Sequence, residues 1–399
     1  MDLRLTAREL AFRDRLRAWL AETLPALPPK PGRDDWPARR RYDLGWQRTV
    51  FDAGYAGIDW PAEFGGAGAS PVEQLIFLEE TARARAPYVG AGFVGLLHAG
   101  PTLIAEGTGE QRSRHLPRIL RGEEVWCQGF SEPDAGSDLA ALRTTAVREG
   151  DHYVLNGRKL WTSHATVADY CELLVRTDPE APRHKGITWL ILPMDTPGVE
   201  IRPLRTAVGS DEFAELVLDG VRVPVSARVG AENDGWRVAM VTFSFERGTA
   251  FIGEVVDSMA LLKEIAALAR TTRGPDGRTL WDDAALRRDV GRLSAELTGL
   301  WALVRKNVSE ASAGMVPVRG ASVFKLRFTE SRQRIADLGA HVLGRASLAM
   351  SDLPGTFAGR IVEDRVNTLS YTIAAGTSQI QRNILAERVL GMPKEPRWT

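Results

Sequence analysis

The sequence predicts an α+β multidomain chain. A helical N-terminal domain comes first, then a central antiparallel, barrel-like β domain, then a C-terminal four-helix bundle. Three observations carry this. Capping signals punctuate the first third, turn-separated β-rich runs fill the stretch from about Val125 to Val229, and long helical periods return from Trp236. The expected boundaries are residues 1–123, 124–231 and 232–399.

In the first third, Thr6 and Glu9 form a capping box, and Leu10, Leu16, Trp19 and Leu20 give the following helix an apolar face. The run LPALPPKPG reads as a loop. Ser70 and Glu73, with Pro71 at the first helical position, start a second helix, and Thr108 and Gln111 a third that Gly122 closes. In the middle, HYVLNGRKLWTS carries Asn156-Gly157 between apolar runs, which predicts a hairpin turn there. CELLVRT, ITWLILPM and ELVLDGVRV read as further strands, and strands without intervening helices suggest a small barrel or sandwich. Beyond Trp236, four helical patterns are expected. They are WRVAMVTFSFERGTAFIGEVVDSMALLKEIAALAR, LRRDVGRLSAELTGLWALVRKNVSEA, SVFKLRFTESRQRIADLGAHVLG and SQIQRNILAERVLG, with Gly391 as the last cap.

The 399 residues carry net charge +0, with 44% hydrophobic and 26% charged, so no bulk field points to nucleic acid or an anionic membrane. No apolar run approaches the roughly 18 residues of a membrane span, and MDLRLTARELAFRDRL mixes charges throughout. Cys127 and Cys171 read as buried reduced thiols. A cytoplasmic protein is the expectation.

Chemistry concentrates in CQGFSEPDAGSDLAALRTTA, Cys127 to Ala146. Its hydroxyls and backbone N–H groups suit a polar ring edge or a phosphate. KLWTS (Lys159–Ser163), FERG (Phe245–Gly248), AGTSQIQRN (Ala375–Asn383) and WPAEFGGAG near Trp60 complete a set in fixed order. With the α–β–α order, this set resembles the acyl-CoA dehydrogenase family over nearly the whole chain.

The resemblance implies an FAD flavoprotein that oxidises an acyl-CoA to the trans-2-enoyl-CoA, with hydride passing to flavin N5. Matched position by position, Phe130 and Ser131 correspond to contacts on the flavin pyrimidine edge. Trp161, Thr162 and Ser163 correspond to the run beside the isoalloxazine and N5. Thr377 and Gln379 correspond to contacts with the FAD phosphates and ribityl chain. Arg273, with Arg270 as competitor, corresponds to an arginine on the pyrophosphate. Ser137 corresponds to a residue near both the pantetheine and the flavin, and Ser244, Arg247 and Gly376 fall on the substrate side.

Many family members hold the catalytic base directly before the GTSQIQ run, where this chain has Ala374 and Ala375. A minority, resembling isovaleryl-type members, hold it on the first bundle helix before an arginine, where this chain has Glu246-Arg247. Thr242, Phe245, Thr249 and Ile252 share a face there, and Gly248 and Gly253 allow close approach of a ligand. Glu246 is therefore the expected base, and the Ala375 backbone N–H the expected donor to the thioester oxygen. The solvated-carboxylate reading of Glu246 is the alternative.

Glu132 and Asp138 are expected to fix the loop, and His98, His115, His164 and His341 to be structural. Other readings stay open: a flavin oxidase or monooxygenase of the same fold, a non-catalytic subunit of a heteromeric acyl-CoA dehydrogenase, or a binding protein. The resemblance further implies a homotetramer or homodimer, an electron-transfer flavoprotein as acceptor, and an acyl-CoA or acyl-carrier-protein substrate. Small side chains at Ala374 and Ala375 make room for a branched or bulky acyl group.

Overall fold

The computed structural model describes residues 4–249, 252–314, 320–351, 353 and 356–394; for 245–249 it describes the backbone alone. The chain divides into two compact units. One comprises Leu24–Ala69 and Pro87–Thr249; the other comprises Met1–Thr23, Ser70–Ala86 and Ala250–Thr399.

In the first unit, helices α2 (Trp36–Asp52), α4 (Gly100–Glu106), α5 (Gly109–Leu120) and α6 (Gly235–Thr249) accompany an eight-stranded sheet. Its strands are β1 (Trp126–Gly129), β2 (Thr145–Glu149), β3 (His152–Ser163), β4 (Tyr170–Arg176), β5 (Ile187–Pro193), β6 (Val199–Leu204), β7 (Phe213–Pro224) and β8 (Arg228–Val229). The order is β6-β7-β3-β2-β4-β5-β8, and β1 pairs with β4. Pairing is antiparallel except for β1–β4 and a single β2–β4 contact. Tyr153, Leu155, Leu173, Leu190 and Leu216 are fully buried at the centre. Each such side chain stabilises the fold by about 1.5–3 kcal/mol relative to exposure.

The hairpin expected at Asn156-Gly157 does not form there. Strand β3 runs straight through, and the turn lies at Gly150-Asp151, where Glu149 pairs with His152. Asn156-Gly157 is instead a bulge opposite Asp219-Gly220, with Asn156 Oδ1 accepting from Gly220 N at 2.9 Å. Gly157 has φ +151°, and a Cβ there would stand 2.6 Å from Thr144 Oγ1 and 2.7 Å from Thr144 Cα. The glycine serves close backbone approach, a use that local sequence shares with turns.

The second unit is helical. Helix α1 (Ala7–Thr23) is tied to α3 (Pro71–Arg83) by Arg17 on Glu80 at 2.6 and 2.8 Å and Arg8 on Glu73 at 3.0 Å. Both capping boxes form as the sequence predicts, with Glu9 Oε2 accepting from Thr6 N at 2.6 Å and Glu73 Oε2 from Ser70 N at 2.9 Å. So does the box at Thr108 and Gln111 at the head of α5.

Helices α7 (Ile252–Thr271), α8 (Ala284–Ser312), α9 (Gly320–Leu343) and α10 (Ala358–Tyr371) share one core, in which Val255, Ile265, Leu297, Phe328, Ile335 and Ile361 are buried. Gly339 lets α9 approach its neighbours: a Cβ there would meet Ile361 Cδ1 at 2.6 Å and Ile265 Cδ1 at 3.2 Å.

The fourth bundle helix is therefore α10, not SQIQRNILAERVLG, which forms the short α11 (Ser378–Ile384) and a π-type turn over Leu385–Val389. Helix α10 escapes periodicity because Ile361 is its one fully buried large aliphatic, beside the small Ala358. It is held instead by Arg360 on Asp257 at 2.9 Å and by Asp364 on Arg332 at 3.0 Å. Gly253 lies against α3, with Ala82 Cβ and Leu78 O at 3.7 and 3.8 Å from a built Cβ, so its close approach is to a helix and not to a ligand. Among the described residues, no helix is long and apolar enough to cross a membrane.

Candidate functional site

In the sheet-bearing unit the loop after β1 is fixed from beneath. Glu132, 8% exposed, accepts from Arg143 N at 2.7 Å, Thr144 N at 2.9 Å and Lys159 Nζ at 2.8 Å. Lys159 is completely buried on β3, and its ammonium also donates to Phe130 O at 3.2 Å. Burial works to raise the Glu132 carboxyl, but the Lys159 charge and these hydrogen bonds prevail and hold it below the ordinary carboxylate value. Burial in turn pulls the Lys159 ammonium down, against the pull of Glu132. Glu132 is thus the loop-fixing carboxylate that the sequence suggests. Asp138 meets Arg183 in a more exposed ion pair.

Strand β3 touches the same loop through Leu160 N, which donates to Ser131 O at 2.9 Å. Its ladder with β7 is then interrupted between Lys159 and Thr162, and Trp161 takes φ +61°. The irregularity turns the indole outward, leaving it 60% exposed against the edge of Phe213. Thr162 beside it is fully buried, and its Oγ1 has no partner among the described residues. Ser163 is half-buried opposite Phe213. His164 is buried at φ +61°, and burial, aided by Arg39, depresses its imidazole to about 4, so it is neutral at ordinary pH.

Helix α6 borders this group. The Phe243 and Phe130 rings meet edge to face at 5.8 Å, and buried Thr242 shares a 2.9 Å hydrogen bond with Thr102. Ser244 is exposed and donates to Val241 O at 2.6 Å. The side chains of Glu246 and Arg247 lie outside the described residues; their backbone belongs to α6. Phe130, Ser131, Trp161, Thr162 and Ser163 are thus brought together, whereas Ser137 stands exposed farther along the loop.

In the helical unit, the loop before α11 is also held by its carbonyls. Gln381 Nε2 donates to Ala375 O at 3.0 Å and buried Lys325 Nζ to Gly376 O at 2.7 Å. Ala375 has φ +52° and Gly376 +84°. Thr377 caps α11, its Oγ1 accepting from Ile380 N at 3.1 Å, and Gln379 is exposed. Arg273 donates to Gly277 O at 2.6 Å within its own turn, while Arg270 stacks 3.9 Å over Trp281. No sequence motif marks Lys159, Lys325 or Gln381 as fasteners of these loops. Their signal is a long polar side chain at a position whose neighbours are apolar or whose face is inward.

His98 approaches Glu172 at 3.4 Å, and His115 Nδ1 lies 2.9 Å from Glu124. No cluster of described His, Cys, Asp and Glu residues could hold a metal ion. Cys127 and Cys171 are free, buried register partners on β1 and β4, and burial raises the Cys127 thiol.

An outward indole, an unpartnered buried hydroxyl and a half-buried Ser131 suit an aromatic ring with a polar edge. The residues present therefore fit a flavin. Models of the N-terminal, middle and C-terminal domains of acyl-CoA dehydrogenases match residues 6–123, 127–221 and 233–390. The acyl-CoA dehydrogenase IpdE1 of Mycobacterium tuberculosis is 39% identical over 393 residues, 97% of this chain and 98% of its own. Among solved structures, the Tcur3481-Tcur3483 steroid ACAD is 34% identical with TM-score 0.84, covering 99% of this chain and 100% of that one. The ChsE4-ChsE5 complex from Mycobacterium tuberculosis is 33% identical with TM-score 0.83, covering 99% and 100%.

Proposed function

This chain belongs to the acyl-CoA dehydrogenase family of FAD-dependent oxidoreductases, and from that premise we propose that it binds FAD and converts a bulky acyl-CoA to its trans-2-enoyl thioester. The observation that carries the reading is the joining of Ser131 to Leu160 at 2.9 Å, which sets the SEP loop beside the outward Trp161. Bound FAD supplies the two-electron acceptor for the hydride that leaves Cβ.

The chain's own residues supply the rest. Glu246, one turn beyond Thr242 on α6, takes the Cα proton. Desolvation beside an acyl chain would raise its pKa toward neutrality, which suits a base of this kind. The Ala375 N–H donates to the thioester oxygen as negative charge develops there, a contribution that needs no side chain. Ser131 and Thr162 receive the flavin ring, and Thr377 and Gln379 its ribityl and phosphate portion. Arg273 is the candidate for the pyrophosphate, and Ser137, Ser244, Arg247 and Gly376 flank the thioester.

The preference for a bulky acyl group draws on the exposed, small Ala374 and Ala375 and on the similarity to a protein named a steroid ACAD. An acyl-carrier-protein thioester, an electron-transfer flavoprotein as acceptor and a homotetramer or homodimer belong to the same proposal. The 33–34% identical ChsE4-ChsE5 and Tcur3481-Tcur3483 proteins favour, as a second reading, assembly with a different chain.

The test is anaerobic titration of the purified yellow protein with acyl-CoAs of graded bulk, following bleaching of the flavin. Bleaching by steroid-type or cyclic acyl-CoAs in preference to linear ones is expected. Glu246→Gln should slow that bleaching by about 10³-fold or more while FAD content is kept. A Gln variant that bleaches at the wild-type rate removes Glu246 from the role.

A further inference from the structure

We infer that Lys159 is a positioning residue for the cofactor, aiming the Ser131 amide at the polar edge of the flavin. The inference rests on the FAD reading above and deepens it. All peptide bonds described are trans, so in each unit the C=O and N–H point in opposite directions. Lys159 Nζ holds Phe130 O at 3.2 Å, and this fixes the peptide that ends in the Ser131 N–H. That N–H is turned to the side away from the ammonium, and among the described residues no acceptor takes it. The next peptide is held as firmly, with Leu160 N on Ser131 O at 2.9 Å and Glu132 N on Ala135 O at 3.1 Å. The Ser131 N–H therefore stands uncommitted among the described residues, beside its own hydroxyl and between peptides that are held in place.

A fully buried lysine is a costly way to satisfy one carbonyl, since a neutral side chain or a backbone N–H would do it without desolvating a charge. What the ammonium adds is polarity. A cation on the carbonyl oxygen draws electron density through the peptide and strengthens the N–H on its far side as a donor. Glu132, with two backbone donors of its own, keeps the ammonium in place. The ligand class follows from the donor: an uncharged or anionic acceptor on a planar ring, as on the pyrimidine edge of a flavin.

The experiment compares the wild type with Lys159→Met, Glu132→Gln and the double variant, each purified, stripped of cofactor and titrated with FAD. The readouts are FAD affinity, the visible spectrum and midpoint potential of the bound flavin, and the melting temperature of the apoprotein. Lys159→Met should weaken FAD binding about tenfold or more and shift the spectrum and potential. Glu132→Gln keeps a donor on Phe130 O, so it should lower the melting temperature while shifting spectrum and potential less.

If Lys159→Met does not fold because Glu132 is stranded, the double variant removes the stranded charge and must still show the weakened binding and shifted potential. Wild-type spectrum, potential and affinity in the double variant, or in a folded Lys159→Met, would overturn the inference and leave a merely structural ion pair. A wild type that takes up no FAD would instead overturn the FAD reading and this inference with it.

Discussion

Lys325 donates from the buried face of α9 to the carbonyl of Gly376 at 2.7 Å, so an ammonium is the fastener of the loop in which the expected acid is replaced by alanine. Gln381 fixes the adjoining carbonyl of Ala375 at 3.0 Å. With both carbonyls tied, side chains that arrive from helices hold the loop in the positive-φ shape that its small residues Ala375 and Gly376 take.

Lys325→Met should therefore loosen the loop. A hydrogen bond to a charged group is worth about 1.5–3 kcal/mol, and urea unfolding should show a loss in that range. Turnover should fall along with it. Unchanged stability and unchanged turnover would show that the Lys325 contact is dispensable.

Ala375 sits at φ +52°, where a β-branched side chain is strained and glycine is not. Ala375→Val should cost about 1–3 kcal/mol in denaturant unfolding. Ala375→Gly should stay within about 1 kcal/mol of wild type. Turnover in the glycine variant should also be preserved, since the proposed donor is backbone. A steep loss of turnover on Ala375→Gly would point to the methyl group itself.

Glu254 at the head of α7 carries an Oε2 sealed from solvent and without a partner among the described residues. Burial raises its carboxyl from 4.5 to about 7; Arg332 on α9 opposes this, while Asp257 on its own helix and Asp364 on α10 add to it. The folded state thus holds this proton more tightly than the unfolded chain. Its contribution is fully present below about pH 4.5 and is lost as pH rises through about 7, on the order of 3 kcal/mol in all. Glu254→Gln should match wild type near pH 4 and exceed it in stability above pH 7, as read from thermal melts across that range. A variant that keeps the wild-type pH slope would assign the slope to another group.

Gly157→Ala should be among the most damaging single-methyl changes in the sheet. The new Cβ would meet Thr144 backbone and side chain at 2.6–2.8 Å, on a residue already at φ +151°. A loss of about 2–4 kcal/mol in unfolding free energy is expected. Because Thr144 N also binds Glu132, FAD content should fall as well. A well-folded, fully loaded alanine variant would mean that β2 and β3 can separate there at little cost.

Legible in the residues alone are the α–β–α order, the capping boxes at Thr6 and Ser70, the helix start at Thr108, and the SEP, KLWTS and GTSQIQ segments. Each is a local pattern, written in residues within a few positions of one another, and local hydrogen bonding or periodicity makes it readable. The sequence also pointed to Glu132 as a loop-fixing carboxylate. Tertiary structure alone decided the rest. Asn156-Gly157 has the composition of a turn, yet becomes a bulge because Thr144, just before β2, crowds Gly157 and Gly220 arrives from the distant β7. Helix α10 lacks an aliphatic stripe because Arg360 and Asp364 find partners on α7 and α9. Lys159 reads as an ordinary strand lysine until Glu132, 27 residues earlier, is folded against it. Charges and glycines take their meaning from what packs on them, and no window of neighbouring residues contains that.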